Sequence, residues 1–282
     1  MRVLVTGAGG LLGSAVVRAF STGAEVVALD HAALDIASDT GVAAAVARVR
    51  PDLVINCAAF NDVDGAEDDP VSALRVNALG VLAICRASRE SGATLVHYST
   101  DFVFDGETDR PYTEADAPNP RSVYATSKLL GDWFALEHPR GYVLRVESLF
   151  GEPRSGAERR GSLATIVDRI RRGDEVPVFV DRVVSPSYTA DVAHATRALI
   201  EKHAVPGLYH CVNSGSATWE EIGLEAARVL GRPFRRKALT LAEAKLKAAR
   251  PRYCALSNER LQQTGIAMPH WRDALARYLT KG

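Results

Sequence analysis

Cysteine is scarce here and its spacing shows no pairing. Cys57, Cys85, Cys211 and Cys254 are the only four, far apart and without a CxxC, which argues against a disulfide framework or a zinc site and fits reduced thiols. A surplus of charge is missing as well. Lys and Arg total 34 against 34 Asp and Glu, so no global field draws the chain to nucleic acid or to an anionic membrane, and an anionic ligand must be captured locally. The one dense basic run, Arg232 to Lys237, reads as a solvated face. No charged leader and apolar segment follow Met1, and no apolar run reads as long enough to span a bilayer, so the expectation is a cytoplasmic protein with no membrane or nucleic-acid partner. Internal repeats and low-complexity tracts are also absent. What remains is an ordinary globular composition, 47% hydrophobic and 24% charged over 282 residues, enough for one large domain or two modest ones.

The first half alternates short apolar runs with helical patterns. Arg2 to Thr6, Glu25 to Asp30, Leu53 to Cys57, Thr94 to Ser99 and Tyr142 to Val146 read as strands that are nearly continuously hydrophobic, as in a parallel sheet covered on both faces. Helical segments around Leu12 to Phe20, Gly41 to Val49, Val71 to Glu90 and Val123 to Glu137 lie between them. This rhythm predicts an α/β fold with a doubly wound parallel sheet of Rossmann type. After Gly151 a Gly- and Arg-rich stretch runs to Gly161 and the pattern changes, which predicts a smaller C-terminal α/β lobe for substrate. The expected division is a dinucleotide-binding domain over 1–150, rejoined by 181–204, and a substrate lobe from 151–180 and 205–282.

The segment RVLVTGAGGLLG places Gly7, Gly10 and Gly13 between the first strand and a helix opening on Leu11 and Leu12. A tight turn, close backbone approach to a pyrophosphate and helix packing against the sheet each disfavour a side chain there. The helix N-terminus then offers N–H groups and positive dipole to phosphates. A glycine-rich turn without a ligand is the bland alternative, and the missing Gly-Lys-Ser/Thr excludes a P-loop. Asp30 ends the second strand, where a carboxylate can accept from both hydroxyls of an adenosine ribose; a surface turn residue is the lesser alternative. Asp35 and Ile36 are expected near the adenine.

Tyr124 and Lys128 stand four apart in SVYATSKLLGD, on one helix face. Such a pair alone is usually an amphipathic surface feature. Its company here is a dinucleotide fingerprint upstream and Ser99-Thr100 at the end of the fourth strand. A tyrosine phenol, with a pKa of about 10, needs a neighbouring cation to exchange protons near neutrality, and Lys128 is placed to supply it. Thr100 would orient a substrate carbonyl and Lys128 would also reach the nicotinamide ribose, giving a hydride-transfer site in which the protein handles one proton.

With these residues in view the sequence resembles the extended short-chain dehydrogenase/reductases, and most closely the dTDP-4-dehydrorhamnose reductase family. The likeness runs through VTGAGGLLG, INCAAFNDVDGAE from Ile55, HYSTDFVFDG from His97, PYTEADAPNP from Pro111, YATSKLLGD, SPSYTADVA from Ser185, GLYHCVNSG from Gly207 and ARP at Ala249 to Pro251. It implies NADH- or NADPH-dependent reduction of the C4 ketone of a dTDP-linked 6-deoxyhexose. Thr100, Tyr124 and Lys128 match the family's catalytic trio, Cys57, Ala58 and Ala59 its cofactor-lining loop with Ser99 beside it, and Val63, Asp101 and Phe102 residues near the sugar. Ser148 stands where many members carry a tryptophan beside the substrate, and Tyr253 where an asparagine is usual. Ala15 replaces the glutamate through which some members bind magnesium, so no metal is expected. Asp30 favours NADH. A nucleotide-sugar epimerase or dehydratase, and a non-catalytic NADP-binding subunit resembling that of methionine adenosyltransferase, are the alternatives, and a monomer or a homodimer fits equally.

Overall fold

The computed structural model describes residues 1–152 and 161–280, so 153–160 of the Gly- and Arg-rich stretch lie outside the described residues. The N-terminal part runs β1 (Arg2–Thr6), α1 (Leu11–Phe20), β2 (Glu25–Leu29), α2 (Asp39–Val49), β3 (Leu53–Asn56), α3 (Gly65–Asp68), α4 (Pro70–Leu74), a π-helical turn (Arg75–Leu79), α5 (Gly80–Ser91), β4 (Thr94–Thr100), a 3₁₀ turn (Asp101–Val103), α6 (Val123–Leu136) and β5 (Gly141–Val146). Then come β6 (Leu149–Phe150), α7 (Ser162–Arg172), β7 (Val176–Phe179), β8 (Val183–Val184), β9 (Ser187–Tyr188), α8 (Thr189–Glu201) and β10 (Gly207–His210). The chain closes with β11 (Ala217–Thr218), α9 (Trp219–Leu230), β12 (Arg236–Leu239), α10 (Leu241–Ala244), α11 (Glu259–Gln263) and α12 (Trp271–Thr280).

Six strands pair in parallel in the order β10-β5-β4-β3-β1-β2, and the direction of winding reverses between β1 and β3. The apolar strands are explained by their two-residue period. Val3, Val5, Ile55, Val96, Tyr98 and Leu144 pack to one side with α1 and α8, while Leu4, Val54, Leu95 and Val143 pack to the other with α2 and α5. Both faces are therefore core, and the crevice at the carboxyl ends of β1, β3 and β4 is where such a sheet takes ligands. Strand β10, expected in the substrate lobe, is instead the sixth strand of the main sheet beside β5. Its half-exposed first residues Gly207 and Leu208 reflect that edge position. Helix α8 packs on α1, while β8 and β9 pair outside the main sheet.

Elements β6, α7, β7, β8, β9, β11, α9 and α12 share a second core that includes Phe150, Ile166, Ile170, Val176, Tyr188, Trp219 and Trp271. The helical run Pro70–Ser91 is long and apolar enough to cross a membrane, contrary to the sequence reading, but its buried face packs in this domain through Ala73, Ala78, Val81 and Ile84.

Candidate active site

The three glycines build a cradle that a side chain would fill. Gly7 has φ +63°, and a Cβ on it would lie 2.5 Å from the Ala58 nitrogen; a Cβ on Gly13 would lie 2.2 Å from the Gly7 carbonyl oxygen. Gly10 caps α1 without a side chain, so the helix start is left open to a ligand's oxygens, with Leu11 half-buried and Leu12 in the core beneath. The facing loop is fastened from below. Thr6 Oγ1 donates to Asn56 Oδ1 at 2.7 Å, and that oxygen also accepts from the Ala58 N–H at 3.1 Å, fixing Cys57 to Ala59 against Gly7. Burial pushes the Cys57 thiol well above its ordinary range, so it stands there as a neutral wall rather than a nucleophile.

Asp30 follows β2, and its carboxylate accepts from the Ala33 N–H at 3.1 Å, so it serves the turn. Asp35 is exposed and accepts from Ala37, whereas Ile36 is only 3% exposed and packs in the core with Leu29 and Val42. Among the expected adenine neighbours, Asp35 is thus the one whose side chain reaches solvent. Ser99 is buried next to Thr100 in β4.

Thr100 ends β4, while Tyr124 and Lys128 sit on the buried face of α6, which Ser122 starts by accepting from the Ala125 N–H at 3.2 Å. The structure brings these three together, with one difference from expectation. Lys128 Nζ donates to the Tyr98 carbonyl oxygen at 2.6 Å, its stem lying along β4, and is not the phenol's direct partner. Burial lowers Lys128 to about 8 against the pull of Asp132. The Tyr124 phenol is held well above its ordinary value by burial and by the charge of Asp101, with a Thr100 hydrogen bond pulling the other way. Tyr124 is therefore kept as the proton-bearing form.

A residue that sequence reasoning passed over fixes this arrangement. Asn77, inside the π-helical turn, accepts from the Phe60 N–H at 2.9 Å and donates to the Phe60 carbonyl at 3.1 Å and to Ser127 Oγ at 3.0 Å. It ties the cofactor-facing loop to α6, and the π turn is the local distortion that lets it. A polar Asn in the middle of an apolar helical run was the available signal.

On the other side of Tyr124, Val63, Phe60 and Phe102 gather around its ring, and Phe102 meets it edge to face at 5.7 Å between centroids. Arg182 and Arg250 both lie over Phe102, at 5.2 and 5.8 Å from its centroid. Arg250, from the ARP motif, also pairs with Asp64 at 3.0 Å, joining the C-terminal lobe to the loop after β3. Asp101 is buried, accepting from the Thr100 hydroxyl at 3.0 Å. Ser148 is half-buried after β5 with φ +43°, a left-handed conformation that a non-glycine residue seldom takes, and its carbonyl accepts from the Ser187 N–H at 3.3 Å. Nothing in the sequence pointed to Arg182.

A family model described as the RmlD substrate binding domain matches residues 1–282. The chain is 38% identical to a Streptomyces antibioticus protein named probable dTDP-4,6-dihydroxy-2-methyloxan-3-one 4-ketoreductase, over 98% of this chain and 93% of that one. It is also 38% identical to the dTDP-4-dehydrorhamnose reductase of Streptomyces griseus, over 97% of this chain and 91% of the relative. Among solved structures it superposes on a dTDP-4-dehydrorhamnose reductase from Bacillus anthracis in complex with NADP with a TM-score of 0.94, at 30% identity, covering 100% of this chain and 99% of that one.

Proposed function

The chain belongs to the family of the RmlD substrate binding domain, and we propose that it is an oxidoreductase reducing the 4-keto group of a nucleotide-linked 6-deoxyhexose, with dTDP as the nucleotide and NADH or NADPH as reductant. The observation that carries this reading is the meeting of Thr100, Tyr124 and Lys128 beside the glycine cradle, in a chain alike over its whole length to reductases of such sugars.

The nicotinamide supplies the hydride when bound. Gly7, Gly10 and Gly13 with the Leu11 and Leu12 amides hold the pyrophosphate, Asp30 the adenosine ribose, Cys57 to Ala59 and Ser99 the wall of the crevice, and Lys128 the nicotinamide ribose. Thr100 donates a hydrogen bond to the ketone oxygen and so fixes which oxygen faces Tyr124. Tyr124 gives that oxygen its proton, which burial keeps on the phenol until a stronger base forms in front of it. Phe102 and Val63 pack against the sugar. Ser148 leaves room where a tryptophan would stand, a loss of apolar contact worth about 1–3 kcal/mol, so the preferred sugar differs from that of tryptophan-bearing relatives.

Purified protein should oxidise NADH or NADPH in the presence of at least one member of a panel of dTDP-, UDP- and GDP-linked 4-keto sugars. Turnover of a nucleotide sugar with no net cofactor oxidation and a tightly retained cofactor would move the chain to the epimerases. Inactivity on the whole panel would remove the reductase reading.

Cofactor choice follows from Asp30. Its carboxylate accepts from the ribose of NADH and opposes the phosphate of NADPH, and Ala32 to Leu34 offer no arginine to clamp that phosphate. The kcat/KM for NADH should equal or exceed that for NADPH, and Asp30→Ala should shift the ratio toward NADPH. Strong NADPH selectivity that Asp30→Ala leaves unmoved would assign the choice to another residue.

A further inference from the structure

Four side chains from four separate segments meet beside Thr100. Asp101 follows β4, Glu147 follows β5, Arg182 precedes β8, and Cys254 comes from the C-terminal segment that bonds to Val183. Asp101 and Glu147 are 3% and 2% exposed, and their oxygens lie within 4.8 Å of each other and of the Cys254 sulfur. Arg182 Nη2 is 3.5 Å from that sulfur and 4.0 Å from Asp101 Oδ2. Glu147 Oε2 accepts from the Ser185 N–H at 2.7 Å, while Asp101 Oδ1 is the oxygen bound to Thr100. Glu147 Oε1, Asp101 Oδ2 and Arg182 Nε are buried without a hydrogen-bond partner among the described residues.

Two carboxyl groups this close in a buried site cannot both be ionised against a single guanidinium without a large desolvation cost. One proton on the pair leaves the cluster neutral with Arg182, because the Cys254 thiol, pushed far up by burial, carries no charge. We propose that Glu147 is a positioning residue for the reduction: its presence keeps one proton on the Asp101–Glu147 pair, and the pair passes a proton to Tyr124 through the Thr100 hydroxyl. The inference rests on the reductase reading.

The transfers balance. The ketone carbon gains a hydride and its oxygen gains the Tyr124 proton. The phenolate so formed takes the Thr100 Oγ proton, Thr100 takes a carboxyl proton from Asp101 Oδ1, and solvent supplies one proton to the pair in the same exchange, so that the pair ends with the one proton it began with. The 3.0 Å contact between Thr100 Oγ1 and Asp101 Oδ1 serves in either direction, since a hydroxyl both donates and accepts. Burial raises Asp101 to about 6 against the pull of Arg182, and raises Glu147 well above its ordinary value with Asp101 adding to the effect. The charged or titratable groups facing the pair are Arg182, Cys254, Tyr124 and Tyr253, with Arg250 over the Phe102 ring.

Glu147→Gln leaves Asp101 alone with Arg182 and therefore ionised at neutral pH. The reductive kcat at pH 7.5 should fall roughly tenfold, and the pH above which kcat declines should move down by about one unit or more, while KM for sugar and cofactor changes little. Glu147→Asp, which can still share a proton, should restore part of the wild-type profile. An infrared pH titration reads the pair without any turnover: the wild type should show a protonated carboxyl band at neutral pH that Glu147→Gln lacks. A Glu147→Gln profile superimposable on wild type, a loss equal at every pH, or no such band in the wild type would each overturn the proposal. Failure of the wild type on every 4-keto sugar would instead strike the reductase reading, and the infrared titration would still report on the pair.

Discussion

Tyr124→Phe should lower the kcat for ketone reduction by roughly 100-fold or more, with cofactor affinity and melting temperature close to wild type. The substitution removes one hydroxyl and leaves the ring where it is. That ring is packed against Phe102 and shares a buried cluster with Phe60, Val63 and Ala73, contacts that a phenylalanine keeps. The phenol also makes no hydrogen bond to Lys128, whose ammonium is bound to the Tyr98 carbonyl, so its loss leaves the lysine's anchor intact. The change thus isolates the proton from the packing. Lys128→Ala does the opposite: it empties a buried site on α6 and should weaken cofactor binding, turnover and stability together. Stopped-flow reduction with measured cofactor dissociation constants separates the two cases. If Tyr124→Phe kept most of the activity on every substrate tested, the phenol would not be the proton donor.

The sheet was legible because both of its faces are core. Strands Arg2–Thr6 and Leu53–Asn56 carry unbroken apolar runs, Val3 to Val5 and Leu53 to Ile55, and the glycines at the first turn announce a backbone that must come close to something. Thr100, Tyr124 and Lys128 were readable from spacing and from the company they keep. Other features depended on contacts across the chain that no local pattern encodes. β10 has the same apolar character whether it joins the main sheet or a lobe, and only its register with β5 decides. Arg182 looked like any loop arginine; its place over Phe102 and against Asp101 comes from β8 folding back beneath the C-terminal segment. Glu147 lay next to Ser148, and its meaning appeared only once Asp101 and Cys254 were seen beside it. Lys128 was expected to lower the Tyr124 phenol, but four-residue spacing fixes only a shared helix face: its ammonium goes to the Tyr98 carbonyl, and burial raises the phenol.

Asp132→Ala should be among the most destabilising single substitutions in the chain, costing about 3–5 kcal/mol. Asp132 on α6 and Arg145 on β5 form an ion pair at 3.1 Å whose side chains are 0% and 3% exposed, with the guanidinium 5.0 Å over the Phe104 ring. Removing the carboxylate strands a charge that cannot be shed, because a guanidinium stays protonated at any accessible pH. Arg145→Met behaves differently, since the carboxyl left behind can take up a proton. Asp132 is already raised by burial, with Arg145 the main influence holding it down, so without Arg145 its folded-state pKa rises further above the unfolded value of about 3.9. The sign follows from linkage. Between those two values the folded state binds the proton and the unfolded state does not, so the stability of Arg145→Met falls as pH rises from about 4 and levels off above the folded pKa. Asp132→Ala has no such carboxyl, and its deficit relative to wild type should vary far less over the same range. Urea unfolding at pH 5 and pH 8, with unchanged m values, compares the two directly. An Arg145→Met deficit that stays constant between those pH values, or an Asp132→Ala cost under about 1 kcal/mol, would mean that the pair is not the buried, mutually dependent element described, and that α6 is held against β5 by its apolar contacts alone.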